Sequence, residues 1–209
     1  QKLISISNNQ RRHMHENFIA TVYNGVDTNN FSFSGKKGTY LYWTGRINHS
    51  KGAKDAILVA KKLGLPLVFA GAHKEDNLKF YEEELQPLLN DPLITEVGTL
   101  TVEKEHYYYE NALCTLVPIH WDEPFGLVMT ESMASGTPVV AYDRGSVSEI
   151  VADGKTGFIV KEEAGVDGLA AAVKKIDQIK REECRKQVEE HFTISKMVDN
   201  YLEIYYKSI

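Results

Sequence analysis

Cysteine is scarce: two residues among 209, neither placed for a disulfide framework or a metal site. Cys114 lies inside the apolar run ALCTLVPI and Cys184 among the charges of REECRKQ, so a reducing compartment, the cytoplasm, is the default expectation. Basic runs interleaved with aromatics are missing too. With a formal net charge of −5 the chain offers no cationic field to a nucleic-acid backbone, and nucleic acid is not expected as a partner. No apolar run reaches the ~18 residues that would span a bilayer, so no transmembrane segment is expected. There is no signal-peptide pattern, no linker, no low-complexity stretch and no internal repeat. The chain opens at Gln1 rather than Met and passes straight into KLISIS, as expected of the later part of a longer protein.

What is present is ordinary globular material, 43% hydrophobic and 25% charged, enough for one domain with an appendage. Apolar runs of strand length recur: LISIS, FIATVYNG, GTYLYWTG, LPLVFAG, LITEVG, ALCTLVPI, TPVVAY and TGFIV. Helical stretches are predicted between them at 52–63, 77–89, 103–111, 126–135 and 147–152, with a helical tail from 165 onward. Strand followed by helix, with buried-type strands, predicts an α/β fold whose parallel sheet is covered by helices on both faces. In the tail, Val166, Leu169, Val173, Ile176 and Ile179 form one apolar stripe, read as core packing. Ile194, Met197, Val198, Tyr201, Leu202 and Tyr205 form another, read as domain packing rather than a partner or membrane surface. Ligands of such sheets lie beyond the carboxyl ends of the strands, so function is sought at the strand-to-helix junctions.

The first such junction is YWTGRINHSKGAKDA. A strand ends at Gly45, and Arg46 and Lys51 follow before a helix start. Two cations beside free helix amides would clamp a diphosphate, Arg as a planar fork and Lys as a point charge. Solvated surface charges are the alternative. The second junction, WDEPFGLVMTESMASG, sets two carboxylates around a helix start. Glu123 stands in the loop, held extended by Pro124, and Glu131 lies roughly 7 Å along the helix axis. Amides at Gly126, Leu127 and Val128 point between them. An acceptor, an anion site and a second acceptor in that order suit a nucleotide sugar: hydroxyls at each end, diphosphate between. For Glu131 a favourable interaction with the helix dipole is an alternative explanation.

The run EPFGLVMTE, a Glu-x7-Glu pattern continuing into SMASGTPVVAYDRGSVSEIVADGKTGFIV, resembles the nucleotide-sugar half of the retaining glycosyltransferases of family 4, which have the GT-B architecture. ATVYNGVD resembles the hinge into their second Rossmann-like domain, TGRINHSKG the phosphate loop and EVGTL the base-reading loop. The likeness covers nearly the whole chain. It implies a Rossmann-like parallel sheet, with 1–24 the end of the acceptor-side domain and hinge, 25–190 the donor-binding domain, and 191–209 a helix crossing back toward the other domain. It implies retaining transfer of a hexosyl group from a nucleoside-diphosphate sugar to a sugar, lipid-linked or small-molecule hydroxyl acceptor held by the N-terminal domain. It also implies a cytoplasmic enzyme, with peripheral contact at the inner membrane face as a further option.

Carried over residue by residue, Gly45, Arg46 and Lys51 would meet the diphosphate, and Glu123 the hydroxyls of the transferred sugar. The amides of Phe125, Gly126, Leu127 and Val128 would hold sugar and phosphate oxygens. Glu131 would take the ribose diol, and the main chain at Gly98 and Thr99 would read the base. Glu123, Arg46 and Lys51 would be the catalytic set. No cofactor is implied and no metal, and no Asp-x-Asp pattern occurs.

The acceptor domain's glycine-rich loop and catalytic histidine have no counterpart here, so these residues alone are expected to bind donor without transferring sugar. His13, His15 and His120 match no pattern and read as surface or loop histidines. SVSE at 146–149 reads as a capping box, Ser146 with Glu149. A non-catalytic nucleotide-sugar-binding module and a sugar-nucleotide epimerase of the same architecture remain alternatives. A hydrolase would pair carboxylates without needing a phosphate clamp.

Overall fold

The computed structural model describes residues 2–12, 14 and 16–208. Its centre is a six-stranded, wholly parallel sheet of β3 (Tyr40–Arg46), β4 (Leu67–Ala72), β5 (Ile94–Gly98), β6 (Ala112–Val117), β7 (Val139–Tyr142) and β8 (Gly157–Val160), in the order β5-β4-β3-β6-β7-β8. The chain winds outward from β3 to β5, returns to β6 beside β3, and winds outward the other way. This doubly wound order puts a topological switch point between β3 and β6, where the following loops diverge and leave a crevice. Central strands are apolar without alternation because both faces are covered: Leu41, Tyr42, Trp43, Leu67, Phe69, Cys114, Leu116, Val139 and Val140 are all buried. Burial pushes both thiols up, Cys184 to about 12, which keeps them protonated core groups.

The covering helices include α2 (Ala53–Leu63), α5 (Val102–Asn111), α6 (Leu127–Ala134), the short α7 (Val147–Ile150), α8 (Gly165–Val173) and α9 (Arg181–His191). The helix expected over 77–89 is composite: α3 (Leu78–Phe80), a π turn (Tyr81–Leu85) and α4 (Gln86–Leu89). Pro87 lacks the amide that would continue the α ladder, and the turn before it widens. The expected continuous stripe from Val166 to Ile179 is also divided. Helix α8 stops at Val173 and a 3-10 turn follows at Ile176–Gln178, yet Leu169, Val173, Ile176 and Ile179 still reach the core. A 3-10 turn repeats every three residues, so it brings Ile176 and Ile179 back to the same side.

The first two apolar runs do not join the main sheet. Strands β1 (Leu3–Ser5) and β2 (Phe18–Thr21) pair with each other in parallel, connected through α1 (Asn8–Arg12), a helix that the apolar pattern does not announce. Glu149 fastens this unit to the main sheet. Its carboxylate accepts the backbone N–H groups of Asn8 and Asn9, each at 2.7 Å, and the Tyr23 hydroxyl at 2.9 Å. The Ser146–Glu149 capping box is therefore corrected: Ser146 gives its hydroxyl to the Phe125 carbonyl at 2.6 Å, and Glu149 caps α1 instead of its own helix. An ionised carboxylate gains more from two free amides at another helix's start than from one amide at its own. Burial, helped by that carboxylate, pushes the Tyr23 phenol up to about 12.

The last helix, α10 (Ile194–Ser208), follows a backbone bond from Val26 N to Phe192 O at 2.8 Å. Ile194, Val198, Leu202 and Tyr205 on it are exposed, so its apolar stripe is only partly used within these residues. No helix among the described residues is long and apolar enough to cross a membrane.

Candidate functional site

Beyond β3 the chain runs through Arg46 and a 3-10 turn at His49–Lys51 into α2. Gly52 is the pivot of that turn: its φ is +66°, and a Cβ there would stand 1.8 Å from the Pro118 carbonyl oxygen beyond β6. Only glycine permits both the left-handed backbone and this approach. The loops that diverge from the switch point are thereby joined at one local contact, where His120 N also donates to Ser50 O at 2.8 Å.

The expected cation and the expected sugar-binding carboxylate share one cavity. Lys51 Nζ is ion-paired with Glu123 Oε2, both side chains being more than four-fifths buried. Trp121 Nε1 donates to the same oxygen at 3.1 Å, and its ring lies 4.8 Å from Lys51 Nζ. A cavity of ≈ 130 Å³ holds this pair and is lined by Gly45, Leu116, Gly126, Leu127 and Val128 among others. Helix α6 opens into it. Gly126, at φ +83°, precedes the first turn, and no side chain caps the helix. Uncapped amides and the dipole's positive end thus face the Lys51–Glu123 pair. Phe125 instead turns its side chain into the core, 6.2 Å from the Tyr23 ring and 6.0 Å from Phe192.

Thr44 and Gly45 also line a second cavity of ≈ 320 Å³ on the other side of β3, with Arg46, Gly71, His73, Thr99 and Glu105. Arg46 is exposed and lines this second cavity, whereas Lys51 lines the first. Gly98 ends β5 at φ +66° and passes the chain to Thr99 at this cavity's wall. Glu131 is not among the residues lining either cavity. Its Oε2 accepts from the Tyr109 hydroxyl at 3.1 Å, in the layer between α5 and α6. Burial, and then the nearby charge of Glu105, raise its pKa, while the Tyr109 bond opposes them. Glu105 is held by Thr44 Oγ1 at 2.9 Å.

Sequence reasoning missed Trp121, Tyr109, Glu105 and Thr44. Trp121 alone had a local signal, standing two residues before Glu123 in the same loop, where a tight turn with Glu123 N bonded to Trp121 O at 2.9 Å brings the two side chains together. His13 and His15 lie outside the described residues. His120 is a loop histidine, but a bridged one: Nδ1 lies 2.8 Å from Glu162 and Nε2 3.2 Å from Asp55.

Comparison with known proteins agrees with this architecture. Solved structures superpose at the level of the fold: sucrose-phosphate synthase of Thermosynechococcus elongatus at a TM-score of 0.84 with 21% identity, over 99% of this chain and 58% of that one. Anabaena HepE, solved in complex with UDP and glucose, superposes at 0.80 with 18% identity, over 98% and 62%. The fold is the Rossmann-like part of a GT-B glycosyltransferase.

The family pattern "Glycosyl transferases group 1" matches residues 27–191, and the chain belongs to that family. Among curated relatives, glycogen synthase of Mycobacterium tuberculosis is 30% identical over 167 residues, 76% of this chain and 39% of its own length. N-acetyl-alpha-D-glucosaminyl L-malate synthase of Bacillus anthracis is 36% identical over 89 residues, 40% of this chain and 23% of its own. The chain thus spans about two fifths of the glycogen synthase it matches.

Proposed function

We propose that this chain is the donor-binding half of a retaining, metal-independent hexosyltransferase that moves a sugar from a nucleoside-diphosphate sugar to a hydroxyl acceptor. The observation that carries this reading is the Lys51–Glu123 pair in front of the uncapped start of α6, at the switch point. A cation and a carboxylate so nearly enclosed cannot be left unpartnered without cost. In this structure each compensates the other. A nucleotide sugar offers both a replacement: an anionic diphosphate for Lys51, hydroxyl donors for Glu123.

In this reading Lys51, the amides at Gly126, Leu127 and Val128, and the helix dipole stabilise the charge growing on the departing diphosphate. Arg46 reaches it from the second cavity. The base lies in the second cavity against Gly98 and Thr99, and the ribose between the cavities, over Glu131. Configuration is retained through a short-lived oxocarbenium-like ion pair in which the leaving phosphate helps deprotonate the acceptor. The acceptor is held by a further domain, so these 209 residues bind donor and do not transfer it. That HepE was solved with UDP and glucose supports a nucleotide-and-sugar ligand for a crevice of this architecture.

Calorimetry with UDP, GDP and ADP, each with and without EDTA, tests the reading. One nucleotide is expected to bind equally well with and without the chelator. Absence of binding by all three would sink the donor-site assignment, and binding abolished by EDTA would sink metal independence.

A further inference from the structure

The chain has two tryptophans, and both converge on Lys51. Trp43 is buried in the sheet and stacked on Phe69 with ring centroids 4.5 Å apart, and its Nε1 donates to the Lys51 carbonyl at 3.1 Å. That bond fixes the backbone from which the lysine side chain rises. Trp121, from the facing loop, handles the side chain and its partner together. Its π face lies 4.8 Å from Lys51 Nζ, and its N–H holds Glu123 Oε2 at 3.1 Å. One indole therefore grips a cation with its face and that cation's counter-ion with its edge.

We propose that Trp121 is a positioning residue that keeps Lys51 and Glu123 separable, so that the donor can take each of them apart from the other. The role rests on the reading of this crevice as the donor site. An ammonium and a carboxylate in contact satisfy one another, and a ligand must compete with that pairing. The ring face offers the ammonium a second place to rest within ~6 Å of the centroid, which lowers the cost of leaving the carboxylate. The indole N–H meanwhile stays on Glu123 when Lys51 turns to phosphate, so the carboxylate does not follow it. Lys51 and Trp121 both use Oε2. Oε1 is then the oxygen turned to a sugar hydroxyl.

A rival account is that Trp121, which packs against the core at its edge, merely fills space. Calorimetry separates the two with three probe pairs: UDP and UDP-glucose, GDP and GDP-mannose, ADP and ADP-glucose. Trp121→Phe keeps an aromatic face and loses the N–H. It is expected to weaken the intact nucleotide sugar by about 10- to 100-fold, the size of one hydrogen bond to a charged group, and to leave the bare diphosphate within about twofold. Trp121→Leu, which loses the face as well, is expected to weaken both.

In a Glu123→Gln background Trp121→Phe is expected to add nothing, since the group it acts through is already changed. Equal losses for both ligands of a pair, or full additivity with Glu123→Gln, would overturn the positioning role and leave packing. A readout free of nucleotide accompanies this. In the ligand-free protein the Trp121 indole N–H resonance, assigned by its loss in Trp121→Phe, is expected to move in Glu123→Gln and in Lys51→Met, with that of Trp43 unmoved in Glu123→Gln. A stationary Trp121 resonance in both variants overturns the proposal even where nucleotides bind. A moving resonance in a protein that binds none of the six probes retains the indole's grip on the pair and overturns the donor reading instead.

Discussion

The Tyr109 hydroxyl donates to Glu131 Oε2 at 3.1 Å, joining α5 to α6 beneath the crevice. Glu131 keeps its proton to higher pH than the ordinary 4.5 because burial and the neighbouring Glu105 charge both disfavour its ionised form. The native state thus binds a proton that the unfolded chain has already released. Its contribution to stability is complete below about 4.5 and is lost as pH rises through the raised value. Glu131→Gln, which never ionises and can still accept from Tyr109, should therefore gain stability relative to the parent between pH 4 and pH 7. Urea melts across that range check it; a constant gap would contradict the shift.

The same titration should appear in binding. Only the ionised carboxylate accepts two ribose hydroxyls, so nucleotide affinity should rise with pH through the raised Glu131 value. Glu105→Gln removes the like charge and should move that rise to lower pH. An affinity profile that Glu105→Gln leaves in place would detach Glu131 from the ribose.

Replacing the two glutamates one at a time should separate the ends of the donor. Glu131→Gln is expected to weaken nucleotide sugar and nucleoside diphosphate alike by about 1–3 kcal/mol, since both carry the ribose. Glu123→Gln is expected to spare the diphosphate and weaken the sugar-bearing ligand. Equal losses for both ligands at Glu123 would put the sugar at the other end.

Lys51→Ala should cost diphosphate affinity about 1–3 kcal/mol and also lower stability, because it strands Glu123 in a nearly closed cavity. Adding Glu123→Gln to it should restore stability but not affinity. Arg46→Ala, at an exposed position, should cost affinity without touching stability. Thermal melts paired with calorimetry distinguish these outcomes.

Far from the crevice, Arg181 is 7% exposed and holds the carbonyls of Ser34 at 2.7 Å, Ala112 at 2.9 Å and Glu110 at 2.7 Å, with Thr137 Oγ1 at 2.6 Å. Arg181→Met would orphan all of these acceptors at once and is expected to cost about 3–5 kcal/mol in urea unfolding. A loss under ~1 kcal/mol would show that water replaces the guanidinium.

Much of this architecture is legible in the chain by itself. Strands such as TYLYWTG and ALCTLV declare themselves because a doubly covered parallel sheet demands unbroken apolar runs, and a run is a local property. The start of α6 and the nine-residue stretch from Glu123 to Glu131 are local as well, as is the resemblance carried by EPFGLVMTE. Local patterns failed where a contact replaced them. Helix α1 has no apolar stripe of its own, and its first amides are met by Glu149, 141 residues from Asn8. The helix over 78–89 takes a π turn because of one proline.

Tertiary structure alone decided which charges meet. Lys51 and Glu123 lie 72 residues apart and touch because β6 returns to the side of β3 rather than beyond β5. Composition separates a central strand from an edge one, since β6 is almost wholly buried while the edge strand β5 exposes Thr95 and Glu96, but it does not say which strand β6 will lie beside. The choice lies in the summed packing of helices and crossovers, and with it the placing of Trp121 over the lysine. Residue types and spacing single out Lys51 and Glu123 as charged groups at two strand-to-helix junctions; their pairing is a property of strand order, which no single stretch of the chain contains.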